Sequence, residues 1–471
     1  MPPSRPRTFA LLAVALALLT APAFAQQSDQ QSSPPPAPAV PAGTIPTAID
    51  LDVSGAPAAD AAFLDAQIRS AIDRRVRPSL RPGASIAYGP FVPWPLLPLA
   101  SGDRAAVYVT VTVSGDATSA PVSGVVTVTL NSIAFRGAPP QLLYLSDDPE
   151  YLPGEGLVLR GDVTAARPVR LYYYHSDVGV PRDLDIVLTS ATPARVHLIQ
   201  SGAGPELDVM SVGHTVSRDY LRMLQAGEGA VADVVPGRPF IVRHALLLQG
   251  EVVAGTVDMH LLSGSGVAVS VVSSAAGARP DTYVSGPRVA YDGHRRHGFF
   301  DLTGFGAIAA TYTAGGPPAA IQYGTRASSP RNVDPADDGR DFGDYGVLHR
   351  ITFTLSNPTD TPQLAYVYEK PLGGPLRSTL VLDGQLKEMG CVRLQQPYWV
   401  GTYQLAAHST GVSTTVTMPD GGSFYPAELG VMDTPPAPYT PPVGTPDGCS
   451  PATPAFPDPG SASTRRQPGG R

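Results

Sequence analysis

The sequence is short of charge, of lysine, of cysteine and of long apolar runs, and each shortage excludes something. Charged residues make up 15% of 471, the formal net charge is −7, and Lys370 and Lys387 are the only lysines. Nothing builds the basic stripe that nucleic acid or an anionic membrane surface would need. After the N-terminal run Phe9 to Leu19 no segment is apolar and long enough to span a bilayer, so no transmembrane segment is expected once that run is removed. Catalytic signatures are missing too. There is no G-x-S-x-G elbow, no G-x-G-x-x-G after a strand and no G-x-x-x-x-G-K, so neither a nucleophile elbow nor a phosphate cradle is expected.

What is present begins with an export pattern. Arg5 and Arg7 precede the short apolar run, and Ala21-Pro-Ala-Phe-Ala25 closes it before Gln26. A basic start, a short apolar core and an A-x-A end predict a signal peptide over 1–25 and export to the periplasm or the medium. Gln26, where a lipoprotein would carry cysteine, argues against a lipid anchor. Residues 26–47 and 434–471 are rich in Pro, Ser and Ala and lack an apolar period, so both are expected to be disordered. In an oxidising compartment the two cysteines, Cys391 and Cys449, either pair and pin the tail to the body or remain free thiols.

Between the ends, strand patterns dominate. Val107, Val109, Val111 and Val113 alternate with Tyr108, Thr110 and Thr112, and Val125 to Leu130 repeats the pattern, which predicts antiparallel strands with one wet face. Leu64, Ile68, Ile72 and Val76 recur every four residues and predict a helix over Asp60 to Val76. Ser217 is placed to cap a second helix over Arg218 to Gln225. The expectation is a mainly β chain. A small α+β N-terminal unit (48–138) precedes two β-sandwich-like units (140–277 and 278–433), with disordered termini.

Several segments carry a resemblance. They are Tyr144-Leu-Ser-Asp-Asp-Pro-Glu150, Gly154 to Arg160, Val169 to His175, Ser201 to Pro205, Ser211-Val-Gly213 and Tyr220-Leu221, then Asp292-Gly-His294, Gly343 to Arg350 and Met418 to Ser423. In this order, over roughly 144–430, the chain resembles a group of uncharacterised secreted bacterial β-rich proteins, mostly from Gram-positive lineages. Some of these carry a copper-amine-oxidase-type N-terminal stalk domain, which the α+β unit replaces here. The resemblance implies export and architecture and transfers no activity and no copper chemistry.

Two stretches offer metal chemistry. In Ala290-Tyr-Asp-Gly-His-Arg-Arg-His-Gly-Phe-Phe-Asp301, Asp292 and His294 can share a face at spacing two, but zinc needs three or four protein ligands. Asp301 or His349 would have to complete the set; otherwise the stretch is a polar turn. In Asn332 to Asp344, Asp334, Asp337, Asp338 and Asp341 could supply oxygen ligands to calcium. The spacing misses the EF-hand register and lacks its closing glutamate, so a solvated acidic loop is the competing account. Tyr172, Tyr173 and Tyr174 are either a carbohydrate platform or core packing, with Tyr173 opposite the other two. These features favour an exported, non-catalytic binding or structural protein of the envelope or extracellular space. Its partner would be an envelope protein or a polysaccharide, and no cofactor is required beyond the calcium option. The alternative is a secreted hydrolase acting on cell-wall or extracellular glycans through carboxylates that meet only in the fold.

Overall fold

The computed structural model describes residues 40–116, 119–177 and 179–438. The expected signal peptide, most of the 26–47 linker and most of the 434–471 tail, with Cys449, lie outside the described residues. The folded body starts earlier than expected. From Pro41 the chain belongs to one compact unit, and Ala42 is fully buried, its amide bonded to the Ala120 carbonyl at 2.9 Å.

The chain is mainly β. One large sheet runs, in spatial order, through His297–Asp301, Leu142–Ser146, Val169–Asp177, Val252–Ser263, Ala194–Glu206, Gly229–Val234, Ala48–Ser54, Val122–Ser132, Arg104–Ser114 and Ser85–Val92. It therefore holds strands from all three expected units. The boundary drawn near 138–140 does not coincide with a break in the sheet, because Gly229–Val234 pairs with Ala48–Ser54 across it. Likewise His297–Asp301 joins the sheet edge beside Leu142–Ser146.

At the N-terminal end, alternation works as expected. Val107, Val109, Val111 and Val113 are at most 2% exposed, whereas Tyr108 is 47% exposed. Their apolar face is covered by α1 (Ala61–Val76) through Phe63, Leu64, Ile68, Ile72 and Val76. Asp60 caps this helix by accepting from the Ala62 amide at 2.7 Å.

The central strands of the large sheet are covered on both faces. On one face lies a four-stranded sheet of Gly156–Val163, Val267–Ala275, Arg182–Ser190 and Phe240–Leu247, and the two enclose a core that includes Tyr173, Ile186, Met259 and Val269. The opposite face carries Tyr172 and Tyr174 and meets α2 (Val209–Ala226) through Val212 and Val216. All three tyrosines are buried, so the triplet is core packing on two faces.

Helix α2 starts earlier than Ser217, which is fully buried in its interior. Asp208 is the cap, accepting from the Met210 and Ser211 amides. Val209, Val212 and Gly213 are poor helix formers and conceal the first turns in the sequence. Gly213 is needed for contact rather than conformation: a Cβ there would stand 1.7 Å from the Gly421 carbonyl oxygen. The helix and the loop 418–423 thus meet backbone to backbone.

The last part is a second sandwich. Ala307–Thr313, His349–Asn357, Ser409–Thr417, Leu376–Leu382 and Gln385–Val392 form one sheet; Ala319–Tyr323, Ala427–Met432, Gln363–Pro371 and Tyr398–Leu405 form the other. Phe353, Leu355, Val367, Leu380 and Leu429 fill the space between them.

Candidate functional site

Strand Leu142–Ser146 ends by delivering Asp147 and Asp148 to a polar junction, where it is paired antiparallel with His297–Asp301. Asp148 is 1% exposed and organises the turn before that second strand. One of its oxygens accepts from the Asp292 amide at 2.7 Å; the other accepts from the Arg295 amide at 2.9 Å and lies 3.0 Å from His297 Nδ1. Arg295 is held at φ 62, strained for a residue with a side chain, and Gly293 takes φ 90 freely, and together they turn these amides inward. His297 Nε2 faces Asp337 at 3.0 Å, and the Tyr291 ring stacks on the imidazole at 3.9 Å.

Arg296 makes a close ion pair with Asp147, Nε to Oδ2 2.7 Å, and another with Glu150. Burial pushes the Asp147 carboxyl well above its ordinary value, with Arg296 opposing. Asp341 is fully buried, and its carboxylate finds little compensation there beyond the Tyr345 backbone amide. Burial first and Asp344 second drive that carboxyl well up. Asp344 instead accepts from the Gly324 amide at 2.9 Å and from Ser328 and Ser329 at 3.0 Å each.

The same junction reaches α2 and the second sandwich. His214 lies 2.9 Å from Asp420 and 3.3 Å from Glu388. Burial opposes charge on His214, but the Asp420 hydrogen bond and charge leave its pKa raised. Tyr345 stacks on Tyr172 and donates to the Ser423 carbonyl at 2.7 Å. Arg170 and Asp258 form a bidentate ion pair beneath, with Nε to Oδ1 2.7 Å and Nη2 to Oδ2 3.0 Å. Segments far apart in the chain meet here: the exposed turn Asp292 to His294 binds Asp148 at one edge, and Tyr220, Gly346 and the Tyr345–Ser423 contact surround the buried part.

Of the zinc candidates, Asp292 and His294 do meet, Oδ1 to Nδ1 at 2.7 Å. Burial would raise the Asp292 carboxyl, but the His294 amide and ring together hold it below its ordinary value. Their supposed partners are elsewhere. Asp301 binds Arg167 at 2.8 Å, and His349 is fully buried 3.3 Å from Asp344. The calcium candidates also separate. Asp334 accepts from the Ala336 amide, Asp337 binds His297, Asp338 is exposed beside Arg295 at 3.2 Å, and Asp341 is buried. Among the described residues the group whose ligand atoms lie within 4.8 Å of one another is His297, Asp337 and Asp338, which joins the two stretches. The cavity beside His297 and Asp337 is about 10 Å³, room for one water.

Two Ser–His pairs resemble part of a catalytic triad but are buried. Ser146 lies 2.9 Å from His175 and Ser54 2.8 Å from His197, yet both histidines are 0% exposed. The other ring nitrogen of His175 faces the Pro149 carbonyl, where a triad would place a carboxylate. Burial pushes these imidazoles down to about 4 and about 3.

Cys391 is buried beside Met210 and is disulfide-bonded; Cys449, the other cysteine, lies outside the described residues.

Sequence reasoning missed Asp147, Asp148, Arg170, Asp258, His214 and Asp420. A signal existed for two of them: Arg170 and Asp258 sit among apolar neighbours in their strands, where an unpaired charge would be costly. Asp148 carries a direct prediction. Asp148→Ala is expected to cost about 2–4 kcal/mol, because two amides and an imidazole lose their buried acceptor. Urea denaturation measures it, and a loss under about 1 kcal/mol would show that the turn holds without this carboxylate.

No protein-family model and no curated relative matches the sequence. Among solved structures, the chain is similar to Lac15 from a marine microbial metagenome, at 8% identity over 69% of this chain and 71% of that one, with TM-score 0.13. It is also similar to the N-terminal CBM22-1-CBM22-2 tandem domain of Xyn10C from Paenibacillus barcinonensis, at 7% identity over 75% and 86%, with TM-score 0.11. A salicylate 1,2-dioxygenase from Pseudaminobacter salicylatoxidans matches at 9% identity over 56% and 70%, with TM-score 0.09. Likenesses at these TM-scores carry no argument about fold or function.

Proposed function

We propose that the chain is an exported, non-catalytic binding or structural protein of the cell envelope or extracellular space. One observation carries this reading: the groups able to do acid–base chemistry are sealed inside the junction. Asp147, Asp148, Asp341, Asp344, His349 and Asp420 are each at most 3% exposed. A glycosidase needs two carboxyl groups facing one cleft that admits a sugar. The open cavity of about 500 Å³ beside Leu224 and Val416 is lined by a single carboxylate, Asp383. That carboxylate is already occupied, accepting from the Thr414 amide and the Tyr403 hydroxyl.

The junction then serves as a lock that fixes the sheets, α2 and the second sandwich into one rigid surface for a polysaccharide or an envelope protein. A Cys391–Cys449 disulfide tying the tail to the body belongs to the same proposal. The purified chain, incubated with labelled cell-wall and extracellular glycans, is expected to give saturable binding or none, without release of reducing ends. Reducing ends released in proportion to enzyme would overturn it in favour of a hydrolase. No cation is required for this role. Titration with calcium or zinc against EDTA tests that point: a rise in the thermal midpoint that Asp337→Ala and Asp338→Ala abolish would assign a cation to the loop.

A further inference from the structure

A cavity of about 260 Å³ lies between α1 and the strand Phe240–Leu247, away from the polar junction. Its lining includes four arginines, Arg69, Arg74, Arg77 and Arg243, together with Ser70, His244 and one acidic residue, Asp73. Asp65, Asp183 and Asp185 stand beside this lining, so the positive charge without a carboxylate of its own rests on Arg74 and Arg243. Arg69, Asp73 and Arg77 follow one another at four-residue spacing, and so do Ser70 and Arg74, so one side of the helix supplies them all.

The pairing is uneven. Arg69 is matched by Asp65 at 2.5 Å, Arg77 by Asp73 at 2.7 Å and His244 by Asp185 at 2.9 Å. Arg74 and Arg243 have no such match: among the described residues neither has a carboxylate within 4.0 Å. Arg74 donates to Ser70 Oγ at 2.6 Å and lies over the Phe240 ring at 4.8 Å. Burial and the neighbouring Arg75 push its guanidinium down to about 10. Arg243 donates from Nη2 to the Gly204 carbonyl at 2.7 Å, and its buried Nε has no acceptor. A last-turn arginine is ordinarily explained by the helix dipole, but that account leaves Arg243, on a strand, without a reason.

We infer that this cavity binds the phosphate monoester group of a small ligand. Two unmatched guanidiniums ask for two negative charges in one place. A phosphate monoester carries close to that near neutral pH and offers three acceptor oxygens. It can accept from Arg74, Arg243 and the Ser70 hydroxyl together, whereas a carboxylate brings one charge and two oxygens. Guanidinium is the side chain suited to such charge-assisted, paired donation. The volume suits a headgroup rather than a large ligand. The inference stands whether or not the chain is catalytic.

The test is calorimetric titration of the full chain with inorganic phosphate, glucose 6-phosphate and glucuronate, each against chloride of equal ionic strength. Saturable binding of phosphate and tighter binding of glucose 6-phosphate are expected. Equal affinity for the two phosphates would assign the site to free phosphate and overturn the monoester; equal affinity for glucuronate would overturn phosphate selectivity. Arg74→Gln and Arg243→Gln are each expected to weaken binding about tenfold or more. Arg350→Gln, in the lining of the cavity of about 500 Å³ beside Leu224 and Val416, should leave affinity unchanged. If the variants do not fold, amide exchange of the wild-type chain decides. Protection of 69–77 and 240–247 on adding glucose 6-phosphate supports the site, and its absence, or unchanged affinity in both folded variants, overturns it.

Discussion

Asp258→Ala is expected to destabilise the chain by about 3–5 kcal/mol, among the largest single-residue effects in the molecule. Arg170 and Asp258 are 2% and 1% exposed, so neither can recover water when its partner is removed. The pair is satisfied from several directions. Tyr220 donates to Asp258 Oδ2 at 2.6 Å, and Arg170 Nη1 donates to the Gly346 carbonyl at 2.9 Å. Burial alone would lower the Arg170 pKa, but Asp258 and Tyr220 hold it above the ordinary arginine value. Without Asp258 the guanidinium is stranded between the large sheet and α2. Replacing both partners, Arg170→Met with Asp258→Leu, removes the stranded charge and is expected to recover most of the loss, because well-packed apolar groups often match a buried ion pair. Urea denaturation of the wild type, both singles and the double completes the cycle. A single-mutant loss under about 1 kcal/mol, or a double mutant no better than Asp258→Ala, would show that the pair does not hold the sheet to the helix.

Each charge of this pair leaves a trace in its strand, but why their pairing is hidden in the sequence, while much of the fold is not, comes down to range. The valines at 107 to 113 and the apolar spacing of α1 are local patterns, and periodicity alone places them. The start of α2 was obscured because Gly213 is set by a neighbour more than two hundred residues away, Gly421. Pairing between distant segments, as between Gly229–Val234 and Ala48–Ser54, likewise leaves no local trace. In the candidate site, the Asp292–His294 contact was legible at spacing two. The partners of His297, Asp148 and Asp337, were not, since they come from two other segments. The acidic loop read as one ligand set because composition cannot tell an aspartate that caps a turn, such as Asp334, from one that is fully buried, such as Asp341.

Glu369 gives the clearest pH signature. It is fully buried between the sheets of the second sandwich, where Oε1 accepts from the Tyr323 hydroxyl and from Ser378 at 3.3 Å, and Oε2 has no partner among the described residues. Burial pushes its carboxyl from 4.5 up to about 7, against the two hydroxyl donors and with help from Asp420. The folded pKa is therefore above the unfolded one. The contribution of Glu369 to stability is fully present below the unfolded value and is lost as pH rises through about 7. At 1.36 kcal/mol per unit, the loss amounts to about 3 kcal/mol. Glu369→Gln keeps an acceptor for Tyr323 and cannot ionise. The stability difference between wild type and variant should then shift by about 3 kcal/mol in favour of the variant from about pH 4 to about pH 8, bending near neutrality. Other buried acids, Asp147 and Asp341 among them, tilt both curves alike and cancel in that difference. Urea denaturation of both proteins across that range measures it. Parallel curves would mean that Glu369 does not change its protonation between the folded and unfolded chain. The second sandwich would then carry its buried carboxyl at no cost that depends on pH.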